Sequence, residues 1–234
     1  MKVLLKRRLS LTVLFFILLN TLCFAESALI DPLIPDGEKL IYKYCLGKDS
    51  STLTETTIIK EEAGQNIYEI NSNSKFEDKL VKIDRKTMST IFSHSVLKTN
   101  EAITDTKITT LKKDRESKSN EIVMGNFNGM LYQLRGFPFK EKKTYRIIGA
   151  GAHNPFAINI KMAEEIQVKI GNHDVRCYRL EIGLSGILGV LFPKSSIWYS
   201  CDAPNYLVKY EGGSGGPGSQ KQLIELIEYS NINR

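Results

Sequence analysis

The chain has 234 residues, of which 25% are charged and 42% hydrophobic, and it carries a formal net charge of +6. Lys2, Lys6, Arg7 and Arg8 supply most of that excess, and the basic residues elsewhere are interleaved with acidic ones, as across Lys112–Lys118. This excludes the clustered basic stripe that nucleic-acid binding requires.

The first residues have the three parts of a secretory signal: the basic cluster just named, an apolar run over Leu9–Leu19, and small residues at Cys23 and Ala25 flanking Phe24. Such a leader is removed on export, here near Ala25, and is left out of fold reasoning. Two other readings exist. The apolar run from Leu9 to Ala25 is short of the ~20 residues of a membrane span, although a tilted helix could still anchor. A lipoprotein cysteine at Cys23 would need a small residue before it, and Leu22 stands there. The expectation is therefore a signal peptide over 1–25 and a single β-rich domain over 26–234, periplasmic or secreted.

Glu26–Gly37 carries two prolines, Pro32 and Pro35, and reads as a leader lying on the fold. Leu40, Tyr42, Tyr44 and Leu46 then alternate with Ile41, Lys43 and Cys45, the period of a strand with one buried face. Strand-like stretches follow at Thr52–Glu61, Asn66–Ser72, Lys79–Asp84, Met88–Leu97 and Ala102–Leu111, with a hairpin turn at Gly64–Gln65. Lys112–Asn120 reads as an exposed turn. Phe127, Met130, Leu131 and Leu134 recur at helical spacing, and Pro138 prevents continuation, so one short helix is expected near 126–136.

Phe156–Ile170 alternates over a length that is unusual for one strand. Glu164 interrupts the apolar parity, so the segment either bends near Ala163–Glu165 or is two strands. Gly171–Asn172 turns the chain into Val175–Ile182. Lys194–Cys201, Asn205–Glu211 and Gln222–Tyr229 complete the series, although Leu223, Ile224, Leu226 and Ile227 also fit a helical period. About eleven short strands separated by turns argue for an all-β, mostly antiparallel fold, built as a strongly curved sheet or half-open barrel.

In the carboxy-terminal half, EIQV at Glu165–Val168, DVRCYRLE at Asp174–Glu181, GVLFPK at Gly189–Lys194, IWYS at Ile197–Ser200, YLVKYEG at Tyr206–Gly212, SGGPG at Ser214–Gly218 and LRGFPF at Leu134–Phe139 form a pattern. It resembles an uncharacterised family of exported bacterial proteins, domain of unknown function 3108, mainly over residues 130–229. The resemblance implies a periplasmic, largely antiparallel β fold, a curved half-barrel like the lipoprotein carriers. It implies no activity and carries over no catalytic residue.

Motifs for chemistry are weak. Gly212–Gly218 lacks the Gly-Lys-Ser/Thr ending of a phosphate loop and reads as a turn rich in glycine, which tolerates positive φ. Gly149–Asn154 lacks the third glycine and the βαβ setting of a dinucleotide fingerprint. His94, His153 and His173 have no metal-ligand spacing. No serine lies in a Gly-x-Ser-x-Gly elbow, and no catalytic residue, cofactor or metal is expected. Of Cys45, Cys177 and Cys201, the last two stand equidistant from Gly189 on consecutive strands, and are the candidate disulfide.

The most informative stretch is Leu184–Phe192, a loop far more apolar than connections usually are. It either closes the core or forms the lip of an apolar cavity or lipid contact. Leu184, Ile187, Leu188, Leu191, Phe192, Trp198, Tyr206 and Tyr210 are the candidate ligand-lining residues, though the aromatics also suit ordinary core or cross-strand positions. The expected function is a non-enzymatic periplasmic binding module for a lipid or other apolar ligand. The alternative is an envelope structural or assembly factor that binds a protein partner.

Overall fold

The structure is a computed structural model that describes residues 28–99, 102–110, 121–124, 127–141, 143–149, 158–184, 194–214 and 218–231. The expected signal peptide over 1–25 lies outside them. The described strands are β1 (Glu38–Leu46), β2 (Asp49–Glu62), β3 (Gln65–Asn73), β4 (Glu77–Asp84), β5 (Thr90–Thr99), β6 (Ala102–Thr110) and β7 (Glu121–Met124), followed after the helix by β8 (Thr144–Gly149), β9 (Ile158–Ile170), β10 (His173–Leu184), β11 (Ser195–Ser200), β12 (Leu207–Gly213) and β13 (Lys221–Asn231). Helix α1 (Phe127–Gln133) runs into one 3-10 turn, Leu134–Gly136.

All thirteen strands join one sheet in the order β6-β5-β4-β3-β2-β1-β13-β12-β11-β10-β9-β8-β7. Two meanders therefore meet where β1 pairs with β13, and every pairing is antiparallel except β7 with β8. The turn between β2 and β3 falls at Ala63–Gly64, where φ is 51° and 75°. Positive φ at both central residues suits the twist of a two-residue hairpin.

The sheet curls around α1. The adjacent residues Leu131 and Tyr132 reach opposite halves of the sheet: Tyr199 Oη of β11 donates to the Leu131 carbonyl at 2.6 Å, and Tyr132 Oη lies 2.6 Å from Ser72 Oγ of β3. Those strands are five steps apart, about 24 Å on a flat sheet at ~4.8 Å per step. One short helix touches both because the sheet bends into a half-open barrel.

The inner face is filled. Tyr42, Tyr199 and Tyr210 from the sheet and Leu134 from the 3-10 turn are fully buried in one cluster, with Leu29 and Ile34 of the leading segment closing it. Polar groups enter this core in pairs. Arg135 donates to both oxygens of Glu38, at 2.6 and 2.9 Å, and to the Pro204 carbonyl at 3.1 Å. Burial works against the guanidinium charge, but Glu38 outweighs it and holds Arg135 above its usual pKa. Removing one partner would strand the other charge, a loss of about 3–5 kcal/mol. The pair thereby fixes the helical turn against β1 and the turn before β12.

The long apolar alternation of 158–170 is one strand, and it bends where Glu164 broke the pattern. Leu180 pairs with Met162 and Arg179 with Glu164, leaving Ala163 as an extra residue, a β-bulge.

Candidate binding groove

Three bulges shape the outer face of the sheet. Besides Ala163, Trp198 pairs with Lys209 but Tyr199 pairs with Leu207, so Val208 is extra on β12. Tyr42 pairs with Leu226 but Ile41 with Glu228, so Ile227 is extra on β13. The regular outward positions here are polar: Lys43 opposite Glu225, and Glu225 opposite Lys209. Bulges re-aim single side chains, and these place two apolar residues among charged neighbours. Ile227 is 56% exposed, whereas Val208 is covered.

The cover comes from the tip of the β9–β10 hairpin. Regular pairing of β10 with β11 stops at Cys177 opposite Ser200, with one further backbone bond to Arg176, so the part from Ile166 to Val175 has no strand partner on that side among the described residues. Val168, Ile170 and Gly171 of the tip line a groove together with Lys43 of β1 and Ile227 of β13. Gly171 and Lys43 are on elements four steps apart in the sheet, about 19 Å if the sheet were flat. The tip therefore leans over the outer face.

The groove is open on one side and has a volume of about 200 Å³. Val168, Ile170, Val208, Leu226 and Ile227 supply its apolar lining, and Lys43, Lys169, Lys209 and Glu225 its polar rim. Lys209 Nζ stands 3.5 Å from Glu225 and 5.4 Å from the centre of the Trp198 ring. Lys43 and Lys169 are exposed and have no carboxylate partner among the described residues.

Of the expected ligand-lining set, the described members Leu184, Trp198, Tyr206 and Tyr210 do not gather in one site. Ile187, Leu188, Leu191 and Phe192 lie outside the described residues. Leu184 ends β10, half-buried. Tyr210 is fully buried on the inner face, opposite Ile197, and its hydroxyl donates to the Gly213 carbonyl at 2.6 Å. Trp198 points the other way, because neighbouring residues of a strand face opposite sides. Tyr206 stacks on Tyr229, with centroids 4.6 Å apart. Of the described members, Trp198 alone borders the groove, through Lys209.

The expected facing of Cys177 and Cys201 is corrected by one residue. Cys177 is opposite Ser200, while the Cys201 amide donates to the Arg176 carbonyl at 2.8 Å. Both are free thiols in this structure. Burial, helped by nearby Cys201, pushes the Cys177 thiol up to about 12, the opposite of an activated nucleophile.

No family model matches the chain, and no curated protein matches it. Among solved structures, it is similar to a β-barrel-like protein of domain of unknown function DUF1849 from Brucella abortus, at 11% identity and a TM-score of 0.43, covering 83% of this chain and 97% of that one. It is also similar to a DUF1329 family protein from Desulfovibrio piger, at 9% identity and a TM-score of 0.31, covering 86% of this chain and 88% of that one.

Among the described residues, no group of three or more His, Cys, Asp or Glu is placed to hold a metal ion. The inner face has a second polar cluster: Tyr132 Oη donates to Glu55 at 2.5 Å, and Ser72 Oγ is within 3.4 Å of the same carboxylate. Tyr42 Oη, nearby, is buried without a hydrogen-bond partner among the described residues. All of these groups are buried in the core beside α1. The sequence reading missed every residue of the groove lining, among them the bulged Val208 and Ile227. The trace of these two in the sequence is a doubled apolar pair, Leu207–Val208 and Leu226–Ile227, within otherwise alternating strands.

Proposed function

We propose that this chain is an exported, non-enzymatic binding module of the cell envelope that holds an apolar ligand on the outside of its sheet, not in a lumen. The observation that carries the reading is the contrast between the two faces. The inner face is filled by α1 and the buried aromatics, while the outer face has an apolar groove made by bulged residues under a leaning hairpin. Bulges cost regular pairing and are designed features of a sheet. Apolar side chains gathered in a concavity, with a few polar groups at the rim, are the usual make-up of a ligand site. The basic and apolar leader supports export.

Trp198 is the only tryptophan and borders the groove, so its fluorescence reports occupancy. A neutral alkyl ligand such as dodecanol, kept below aggregation, is expected to change Trp198 emission saturably. Ile227→Asp, at an exposed position, is expected to remove the response and leave the fold intact. A response that survives Ile227→Asp contradicts the groove.

A second reading rests on the open sheet. β6 and β7 end the strand order and have no further hydrogen-bonded neighbour among the described residues. Such an edge is a template for strand addition by a partner. Protection of β6 amides from hydrogen exchange on adding envelope extract would favour it over the groove.

A further inference from the structure

We infer that the groove takes a single-chain carboxylate amphiphile, a free fatty acid, with its alkyl chain between Ile170 and Ile227 and its carboxylate between Lys43 and Lys169. The inference rests on the groove being the binding site.

Charge selects the class of ligand. Four charged residues rim the groove. Lys209 and Glu225 are 3.5 Å apart and largely cancel. Lys43 and Lys169 stand on different elements, the body of the sheet and the hairpin tip, and neither has a carboxylate within ion-pair distance among the described residues. The rim thus carries two ammonium groups outside ion-pair distance of any described carboxylate, with Glu225 across the strand pair from Lys43 and Asp174 across from Lys169, next to an apolar floor. A neutral alkyl chain satisfies the floor alone, and a cationic amphiphile is repelled by the rim. An anionic head satisfies both.

Size selects the single chain. About 200 Å³ is below the ~300–1,000 Å³ of an enclosed drug-sized pocket. The groove admits one narrow alkyl chain, the remainder lying along exposed Ile227 and Ile166. Two acyl chains side by side do not fit. The head is compact for the same reason: the rim offers two point charges and no arginine fork, the arrangement that favours bidentate phosphate recognition. The leaning tip gives the head group a second role, because a carboxylate bridging Lys43 to Lys169 ties the hairpin to β1.

The test compares dodecanoate with dodecanol by Trp198 fluorescence on the full secreted chain, each below its micelle concentration. Dodecanoate is expected to bind the more tightly, with an advantage that shrinks as salt is raised, since exposed charges are screened. Lys43→Gln/Lys169→Gln, at two exposed positions, is expected to weaken dodecanoate roughly fivefold to tenfold, the loss of two exposed ion contacts, and to change dodecanol binding much less. Equal affinity for the two ligands, or a double variant that binds dodecanoate as the parent does, overturns the carboxylate assignment and leaves the groove standing. Absence of a response to either ligand overturns both. A saturable response to an acidic peptide that exceeds that to dodecanoate also overturns the fatty-acid assignment.

Discussion

Glu55 shows how a single residue in this core is tuned. Its carboxyl is buried beside α1 and accepts from Tyr132 Oη. Burial raises it above its ordinary 4.5, against the downward pull of the Tyr132 hydrogen bond. The folded chain therefore binds this proton more tightly than the unfolded chain does. The stability Glu55 contributes is complete below 4.5 and is lost as pH rises through the higher folded value. Glu55→Gln keeps the shape and a hydrogen bond but removes the titration. The variant is expected to gain stability relative to the parent as pH rises from about 4 to 7, read from urea midpoints. A difference that stays constant with pH would mean that Glu55 does not titrate in this range. None of this was legible in the sequence. Glu38, Glu55 and Arg135 look like surface charges, and only the curl of the sheet brings them to one interior.

At the scale of elements, alternation along the strands was legible, because a pleated strand with one buried face must alternate. It located nearly every strand and the helix near 126–136. β7 and β8 escaped it: the four residues Glu121–Met124 are too few to show a period, and in Thr144–Gly149 the pattern is short and follows a charged stretch. The bulges divide the record. Glu164 betrayed the bend at Ala163, since a charge fell on the apolar parity. The doubled pair Leu226–Ile227 was equally visible but also fits a helical period, and it is strand pairing with β1 and β12 that decides for a bulge. The hairpin β9–β10 supplies a sharper test. Deleting Ala163 removes the extra residue and leaves every cross-strand partner on its own face, so pairing should survive. Without the bend, the tip should no longer lean over β13. The expected result is a cooperative thermal transition close to that of the parent, with the Trp198 response to dodecanol abolished. A retained response would separate the bend from the groove.

For the whole molecule, the curved all-β form followed from the sequence, and the groove on its outer face did not. An open barrel invites a ligand inside, and the apolar Leu184–Phe192 stretch pointed there. Yet α1, placed between the two meanders, uses the interior as its own packing site. Tyr42, Leu134 and Tyr199 fill the space a ligand would need. The proposed site is instead on the outer surface, where the alternation that hides apolar residues in the core is broken by bulges. Backbone amide shifts recorded by NMR during a dodecanol titration test this most directly. The account predicts shifts that concentrate at Val168–Gly171, Lys209 and Ile227 and spare the interior. Shifts centred on Tyr42, Leu134 and Tyr199, with the hairpin tip unmoved, would contradict it.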